Sequence, residues 1–186
     1  MTHESIEFPV EGLVDDDIRL RLAADSDRPA FVLACQDPAI QRYTTVPERY
    51  GDINAREFAR QAALGFADGT AVSVVIADAA TDELVGTVAI RRIPAERGRW
   101  SVGYWVAPWA RRRGVATTAV TMIARFGFEE LDAARIDLLA EPENVASVRV
   151  AEGAGFRREG LLREEIVIKG KAHDVFMYTL LPSEPS

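Results

Sequence analysis

The run from Val106 to Thr117 reads as the end of a strand, a proline stop, a basic turn with one glycine, and the start of an apolar-periodic helix. Few folds accommodate that order. The first N–H groups of a helix have no internal partner and sit at the positive end of its dipole, so a turn feeding them can hold a diphosphate by backbone donors alone. Arg111, Arg112 and Arg113 add delocalised positive charge, and Gly114 and Ala116 keep the approach open. The same residues also suit a plain surface helix start with a solvated charge run.

Downstream, Val115, Ala119, Met122, Ile123, Phe126 and Phe128 recur at helical spacing, with Thr118, Thr121, Arg125 and Glu129 opposite, which predicts a helix to about Leu131. The short aliphatic run Ile136 to Ala140 then fits a buried strand parallel to Arg99–Val106, closing a βαβ unit with the anion turn at the first strand's carboxyl end. Alternation predicts strands at Ile18–Leu22, Ala71–Asp78 and Glu83–Ile93, the last two joined by a turn at Ala79–Asp82, with another turn at Arg97–Gly98. A hairpin pairs Glu164–Ile168 with Ala172–Leu181 across Lys169-Gly170-Lys171. Further helices are expected after a cap at Asp25 or Ser26, ended by Asp37-Pro38; at Asp52–Gly65; and from an Asn144 cap to Gly155. Gln41–Gly51 reads as a loop with exposed aromatics. One domain over 17–182 is expected, with a partly loose arm at 1–16 and a tail at 183–186.

The chain carries a net charge of -7, which argues against nucleic acid as a partner, because that binding rests on a basic surface. No apolar run approaches the roughly 20 residues that span a bilayer, and no leader pattern opens the chain, so neither a membrane nor export is expected and a cytoplasmic location is. The single cysteine, Cys35, permits no internal disulfide, and its expected role is small buried packing. The two histidines, His3 and His173, are too few and too far apart for a His-rich metal site, so no metal is expected.

The segment Gly103-Tyr104-Trp105-Val106-Ala107-Pro108 with Arg111-x-x-Gly114-x-Ala116 resembles the acyl-CoA motif of the GNAT superfamily of N-acetyltransferases, Arg/Gln-x-x-Gly-x-Gly/Ala. Asn144-Val145-Ala146-Ser147, followed by Gly155-Phe156-Arg157-Arg158-Glu159-Gly160, resembles the ribosomal-protein N-terminal acetyltransferase (RimJ/RimL-like) branch. The resemblance extends more loosely from Ile18 to Leu181. It implies an α/β (α+β) fold: a mixed, mostly antiparallel central sheet of about seven strands with flanking helices, splayed between the strands at 99–107 and 135–140.

It also implies acetyl-CoA as cosubstrate. Its diphosphate would lie on Arg111–Thr117, Val115 included, and its pantetheine arm along Trp105, Val106 and Ala107, with a backbone N–H near Val106 polarising the acetyl carbonyl. Asn144 and Ser147 would complete the cofactor side, with Ser147 serving the leaving thiolate where many relatives place a tyrosine and this chain has Ala151. Local backbone bonding by Ser147 is the competing reading. Where relatives carry a glutamate as general base, this chain has Ile166; Glu164, two residues earlier on the same strand face, is the expected substitute, whereas Glu165 points to the other face, or else both acids only solvate the strand. Tyr43, Thr44 and Tyr50 lie where relatives build the acceptor side. Asp174 matches an acidic position of the branch, and His173 one usually held by arginine.

The expected reaction is acetyl transfer from acetyl-CoA to a primary amine in a ternary complex. An N-terminal α-amine, with a pKa near 7.7 to 8.0, is easier to use than a lysine. A small-molecule amine such as an antibiotic or polyamine is the alternative acceptor, and a non-catalytic acyl-CoA-binding module the alternative class. A Rossmann-type dinucleotide site is disfavoured because Gly-x-Gly-x-x-Gly is missing. The resemblance also allows a homodimer, which some relatives form.

Overall fold

The described strands form one mixed sheet, and among the described residues its only parallel pair is joined by a crossover helix. In the computed structural model, which describes residues 4–15, 17–94, 96 and 98–182, the strands are β1 (Leu13–Val14), β2 (Ile18–Arg21), β3 (Ala71–Asp78), β4 (Leu84–Arg92), β5 (Arg99–Val106), β6 (Arg135–Ala140), β7 (Arg157–Ile168) and β8 (Lys171–Leu180). They lie in the order β1-β2-β3-β4-β5-β6-β8-β7. The helices are α1 (Arg28–Ala34), α2 (Pro38–Tyr43), α3 (Asp52–Ala67), α4 (Val115–Glu130) and α5 (Val145–Gly153). A parallel strand cannot follow a hairpin, so α4 supplies the crossover between β5 and β6.

The β5–β6 ladder runs from Arg99↔Arg135 to Val102↔Leu138 and stops, while β5 continues beside β4 as far as Gly86↔Val106. The sheet therefore opens into a V between two strands that begin as neighbours. Even-numbered residues of β5, β6 and β8 (Trp100, Val102, Ile136, Leu138, Tyr178) join the core with Val115, Ala119 and Ile123 of α4 and Ala151 of α5. Trp105 points to the other face, against Phe31 of α1 and the small cluster that includes Ala55 of α3.

Several expectations are corrected. The sheet has eight strands, because Leu13–Val14 pairs with Leu20 and Arg19; two residues show no alternation to read. Part of the expected loose arm is docked: the Ile6 N–H donates to the Phe66 carbonyl at 2.8 Å, and the Phe8 ring lies 5.3 Å from that of Phe126. Neither Asp25 nor Ser26 caps α1. They form a single 3-10 turn, and Asp27 at the helix start spends its carboxylate on Arg21 (2.8 and 2.9 Å) and the Ala24 N–H (2.7 Å). Asp37-Pro38 stops one helix and starts another, since the Asp37 carboxylate accepts the N–H groups of Ala39 and Ile40 at 3.0 Å and Pro38 opens α2. Gln41–Tyr43 is thus helical. Tyr43 and Tyr50 are half-buried, Tyr50 against the α1–α3 packing. Cys35 is buried as expected, and burial pushes its thiol up to about 12 against the opposing hydrogen bond with Tyr50.

Strand β7 begins at Arg157 rather than Glu164, and its pairing with β8 jumps from Leu162↔Val175 to Ile166↔His173. Of the expected turn at Arg97–Gly98, Gly98 has φ +69°, and Arg97 lies outside the described residues, as does His3. Among the described residues no helix is long and apolar enough to cross a membrane.

Gly86 holds the V open from the β4 side. A Cβ there would lie 2.5 Å from the Trp105 carbonyl oxygen and 3.2 Å from the Val106 Cα, both backbone atoms that cannot swing away. Gly86→Ala is expected to lower unfolding free energy by about 1–3 kcal/mol in urea titrations. Gly160→Ala, where a Cβ meets nothing within 4 Å, should stay within about 0.5 kcal/mol of the parent.

Candidate active site

The turn before α4 is built to leave donors free. After the 3-10 turn Pro108–Ala110, Arg112 (φ +63°) and Gly114 (φ +78°) adopt left-handed conformations that swing the chain into the helix. Gly114 is the N-cap of α4 and offers no side-chain acceptor, and the first intrahelical bond is Thr118 N–H to Gly114 O at 3.1 Å. The N–H groups of Val115, Ala116 and Thr117 therefore have no partner among the described residues, at the positive end of a 16-residue helix. A Cβ on Gly114 would meet nothing within 4 Å, so glycine is required there for its φ and not to clear the approach. Backbone donors so placed have the geometry that a diphosphate requires.

The three arginines are not equivalent. Arg111 donates from Nη2 to Asp37 Oδ1 at 2.6 Å and from Nε to the Val106 carbonyl at 3.3 Å. Arg113 donates to Asp78 Oδ2 at 3.0 Å. These two brace the turn against α2 and β3, and Arg112 makes no ion pair among the described residues. Burial pushes the Asp37 carboxyl up, but Arg111 and the N–H groups of Ile40 and Ala39 outweigh it and hold the group below its ordinary value. Asp78 is likewise held low, by Arg113 first and then the Ala80 N–H.

Across the V from the turn, Ser147 sits in the first turn of α5. Its N–H donates to Asn144 Oδ1 at 3.1 Å, and its hydroxyl lies 2.9 Å from the Tyr104 hydroxyl. Burial pushes Tyr104 up to about 12, against the opposing effect of the Ser147 bond, so the phenol keeps its proton at neutral pH. Tyr104 escapes the sequence reading, although it shares the even-numbered face of β5 with Trp100 and Val102. Ala151, where many relatives place a tyrosine, is wholly buried in the core. Along the β5 edge, Trp105 and Val106 have no strand partner on the β6 side, whereas the Ala107 N–H is already donated to the Val85 carbonyl at 2.8 Å.

The expected acceptor side is only partly assembled. Glu164 is exposed, has φ +52° and donates its N–H to Asp174 Oδ1 at 2.9 Å. Residues 163–165 all stand opposite Asp174 alone, so the alternation that placed Glu164 on the face of Ile166 does not apply. Thr44 spends its hydroxyl on the Ile40 carbonyl (2.6 Å) and the Val46 N–H (3.2 Å), Tyr43 lies under the Arg42 guanidinium (4.9 Å), and Tyr50 contacts Cys35.

The residues that do converge on this side lie beside those three. An open cavity of about 450 Å³ is walled by Gln41 and Arg42 of α2, Glu48, and Lys169, Lys171 and His173 of the β7–β8 hairpin. His173 Nδ1 is 3.0 Å from Glu141 Oε2, and Arg42 Nη1 donates to Glu141 Oε1 at 3.1 Å. The only local signal for Glu141 is an acidic residue directly after a strand. Among the described residues no group of three or more His, Cys, Asp or Glu side chains could hold a metal ion.

The model of the acetyltransferase (GNAT) domain family matches residues 17–157. The chain is 30% identical over 175 residues to the uncharacterized N-acetyltransferase p20 of Bacillus licheniformis, covering 94% of this chain and 98% of that protein. Its fold is similar to that of the microcin self-immunity acetyltransferase MccE, solved with acetyl-CoA and AMP (TM-score 0.82, 20% identity, 94% of this chain and 98% of that one). It is similar also to RimL, a ribosomal alpha-N-protein acetyltransferase solved with coenzyme A (TM-score 0.79, 21% identity, 94% and 97%).

Asp37 caps α2 and braces Arg111 with one carboxylate, and two substitutions separate these roles. Asp37→Ala should cost about 1 kcal/mol of stability through the lost cap, and Asp37→Asn, which still caps, less. Because the folded carboxyl is held low, its contribution is complete above the unfolded value of about 3.9 and is lost as pH falls through the folded value. Thermal melts from neutral pH into acid should show that loss in the parent and a shallower one in Asp37→Asn.

Proposed function

The chain belongs to the GNAT acetyltransferase family, whose members draw the acetyl group from acetyl-CoA, and from that premise we propose that it acetylates the α-amine of a peptide or protein N-terminus in a direct ternary complex. Bound acetyl-CoA supplies a thioester, whose carbonyl carbon is the electrophile. The residues present fit it: the unspent N–H groups of Val115, Ala116 and Thr117 match a diphosphate, and the open β5 edge at Trp105 and Val106 matches an extended chain bearing amides. A main-chain N–H near Val106 would stabilise charge developing on the carbonyl oxygen without any side chain.

The observation that carries the enzyme reading over a merely binding one is the Ser147–Tyr104 pair. A hydroxyl held 2.9 Å from a buried phenol that keeps its proton can deliver that proton to a leaving thiolate. Direct transfer is favoured over a covalent acetyl-enzyme because the single cysteine is buried and its thiol raised to about 12. The α-amine is favoured as acceptor because a useful fraction is neutral at physiological pH. One observation favours a small-molecule amine instead: the cavity of about 450 Å³ between α2 and the β7–β8 hairpin is of a size that holds a compact ligand.

A panel of free-amine peptides, amine antibiotics and polyamines, read by the mass gain of one acetyl group, separates the acceptors. Peptide acetylation is the expected result. Exclusive modification of a small molecule would replace it, and no transfer to any acceptor despite saturable coenzyme A binding would favour the non-catalytic module. Ser147→Ala and Tyr104→Phe should each lower kcat by about 10- to 100-fold, with acetyl-CoA affinity by calorimetry held within about twofold.

A further inference from the structure

His173 on β8 is given no task by the turn at α4 or by the Ser147–Tyr104 pair, yet its surroundings are built. Its side chain and that of Glu141 are 9% and 8% exposed and meet at 3.0 Å through Nδ1 and Oε2. Arg42 Nη1 donates to the other carboxylate oxygen at 3.1 Å, and Arg42 Nη2 lies 3.5 Å from Glu143. A carboxylate facing Nδ1 fixes the neutral ring as the Nδ1–H tautomer and leaves the lone pair on Nε2. Nε2 makes no hydrogen bond among the described residues, and the ring is part of the wall of the cavity between α2 and the β7–β8 hairpin.

The dyad's position in the fold gives this lone pair a use. Glu141 directly follows β6, three residues past the last β5–β6 rung at Leu138, so it stands at the mouth of the V, about 10 Å along the chain from where the strands part. The even-numbered residues of β6 and β8, Leu138, Ala140, Tyr178 and Leu180, pack in the core with α4 and α5. Glu141 and His173 have the opposite parity and meet Arg42 of α2. Ser147 and Tyr104 stand on the α5 side. A proton donor and a lone-pair acceptor thus flank the V from opposite faces, as acyl transfer to an amine requires.

We infer that His173 accepts the proton of the acceptor amine through Nε2, that Glu141 and Arg42 are positioning residues for it, and that the cavity beside the ring receives the amine; this rests on the acetyl-transfer reading above. In the step, an N–C bond forms at the acetyl carbon and the C–S bond breaks. One amine proton passes to Nε2, and the sulfur leaves as a thiol with the proton of the Ser147 hydroxyl, which Tyr104 replaces; release of the Nε2 proton to water and uptake of one by the Tyr104 oxygen restore both groups. The charged groups facing the cavity and the ring are Glu141 after β6, Arg42 of α2, Glu48, and Lys169 and Lys171 of the hairpin, with Lys169 anchored to the Gln41 carbonyl at 2.7 Å.

Nitrogen NMR of the full chain labelled at its two histidines, with His173→Gln to assign the signals, reads the tautomer directly. The Nδ1–H form is expected in the parent, and its loss in Glu141→Ala. With the best acceptor from the panel, His173→Gln should lower kcat by about 100-fold and abolish the acid limb of the parent's pH profile, while acetyl-CoA affinity holds within twofold. Glu141→Gln should lower kcat less and shift that limb. An Nε2–H ring in the parent overturns the assignment, as does a His173→Gln enzyme with kcat within threefold of an active parent and an unchanged profile; either leaves acetyl transfer itself standing. A parent that binds acetyl-CoA but acetylates nothing overturns both together.

Discussion

Everything at the candidate site depends on a ladder that stops. Two parallel strands pair for four rungs, from Arg99↔Arg135 to Val102↔Leu138, and then diverge, which leaves the backbone of Trp105 and Val106 without a neighbour on one side. Unpaired strand edges are ordinarily a liability. Here the edge is confined between α5 and α2, where a chain bearing amides can take the place of the missing strand. The divergence is held from outside: Gly86 lets β4 follow β5 closely up to Val106, and α4, crossing from β5 to β6, puts its free N–H groups at the open end.

The same divergence sorts the chemistry by face. Strand alternation sends Tyr104 toward α5 and Trp105 toward α1 and α3, so a single strand contributes a buried phenol to one side and hydrophobic support to the other. Strands β6 and β8 continue the division, with core residues facing α4 and α5 and the Glu141–His173 pair facing α2. Arg99, Arg135 and Thr179 gather on the buried Asp137 at the closed end of the V, which ties β5, β6 and β8 together where the ladder must not open.

Features set by local periodicity are legible in the sequence: the βαβ unit around α4, the hairpin through Ala79–Asp82, the Asn144 cap and the turn at Lys169–Gly170 all carry their signals within a few residues. What escapes has one of two physical causes. Some signals are ambiguous, as at Asp37-Pro38, where the residues that stop α1 are equally those that start α2, or at Glu164, where a left-handed bulge forms without a glycine to announce it. Others are distant. Arg111 and Asp37 are 74 residues apart, Tyr104 and Ser147 are 43, and Glu141 and His173 are 32. The helix start at α4, with its main-chain donors, follows from local pattern. The partners of Arg111 and Arg113 do not, because they lie on other elements.

The turn proposed for the diphosphate belongs to α4, whereas the cavity proposed for the amine is walled by α2, the loop after it and the tip of the last hairpin. On the proposed reading, donor and acceptor are handled by different stretches of chain, and the Arg111–Asp37 bridge is a direct side-chain link between those stretches. On that reading, exchanging residues on α2 or the hairpin tip would change acceptor preference and leave the coenzyme A side intact. Substituting Asp37 would instead disturb both at once.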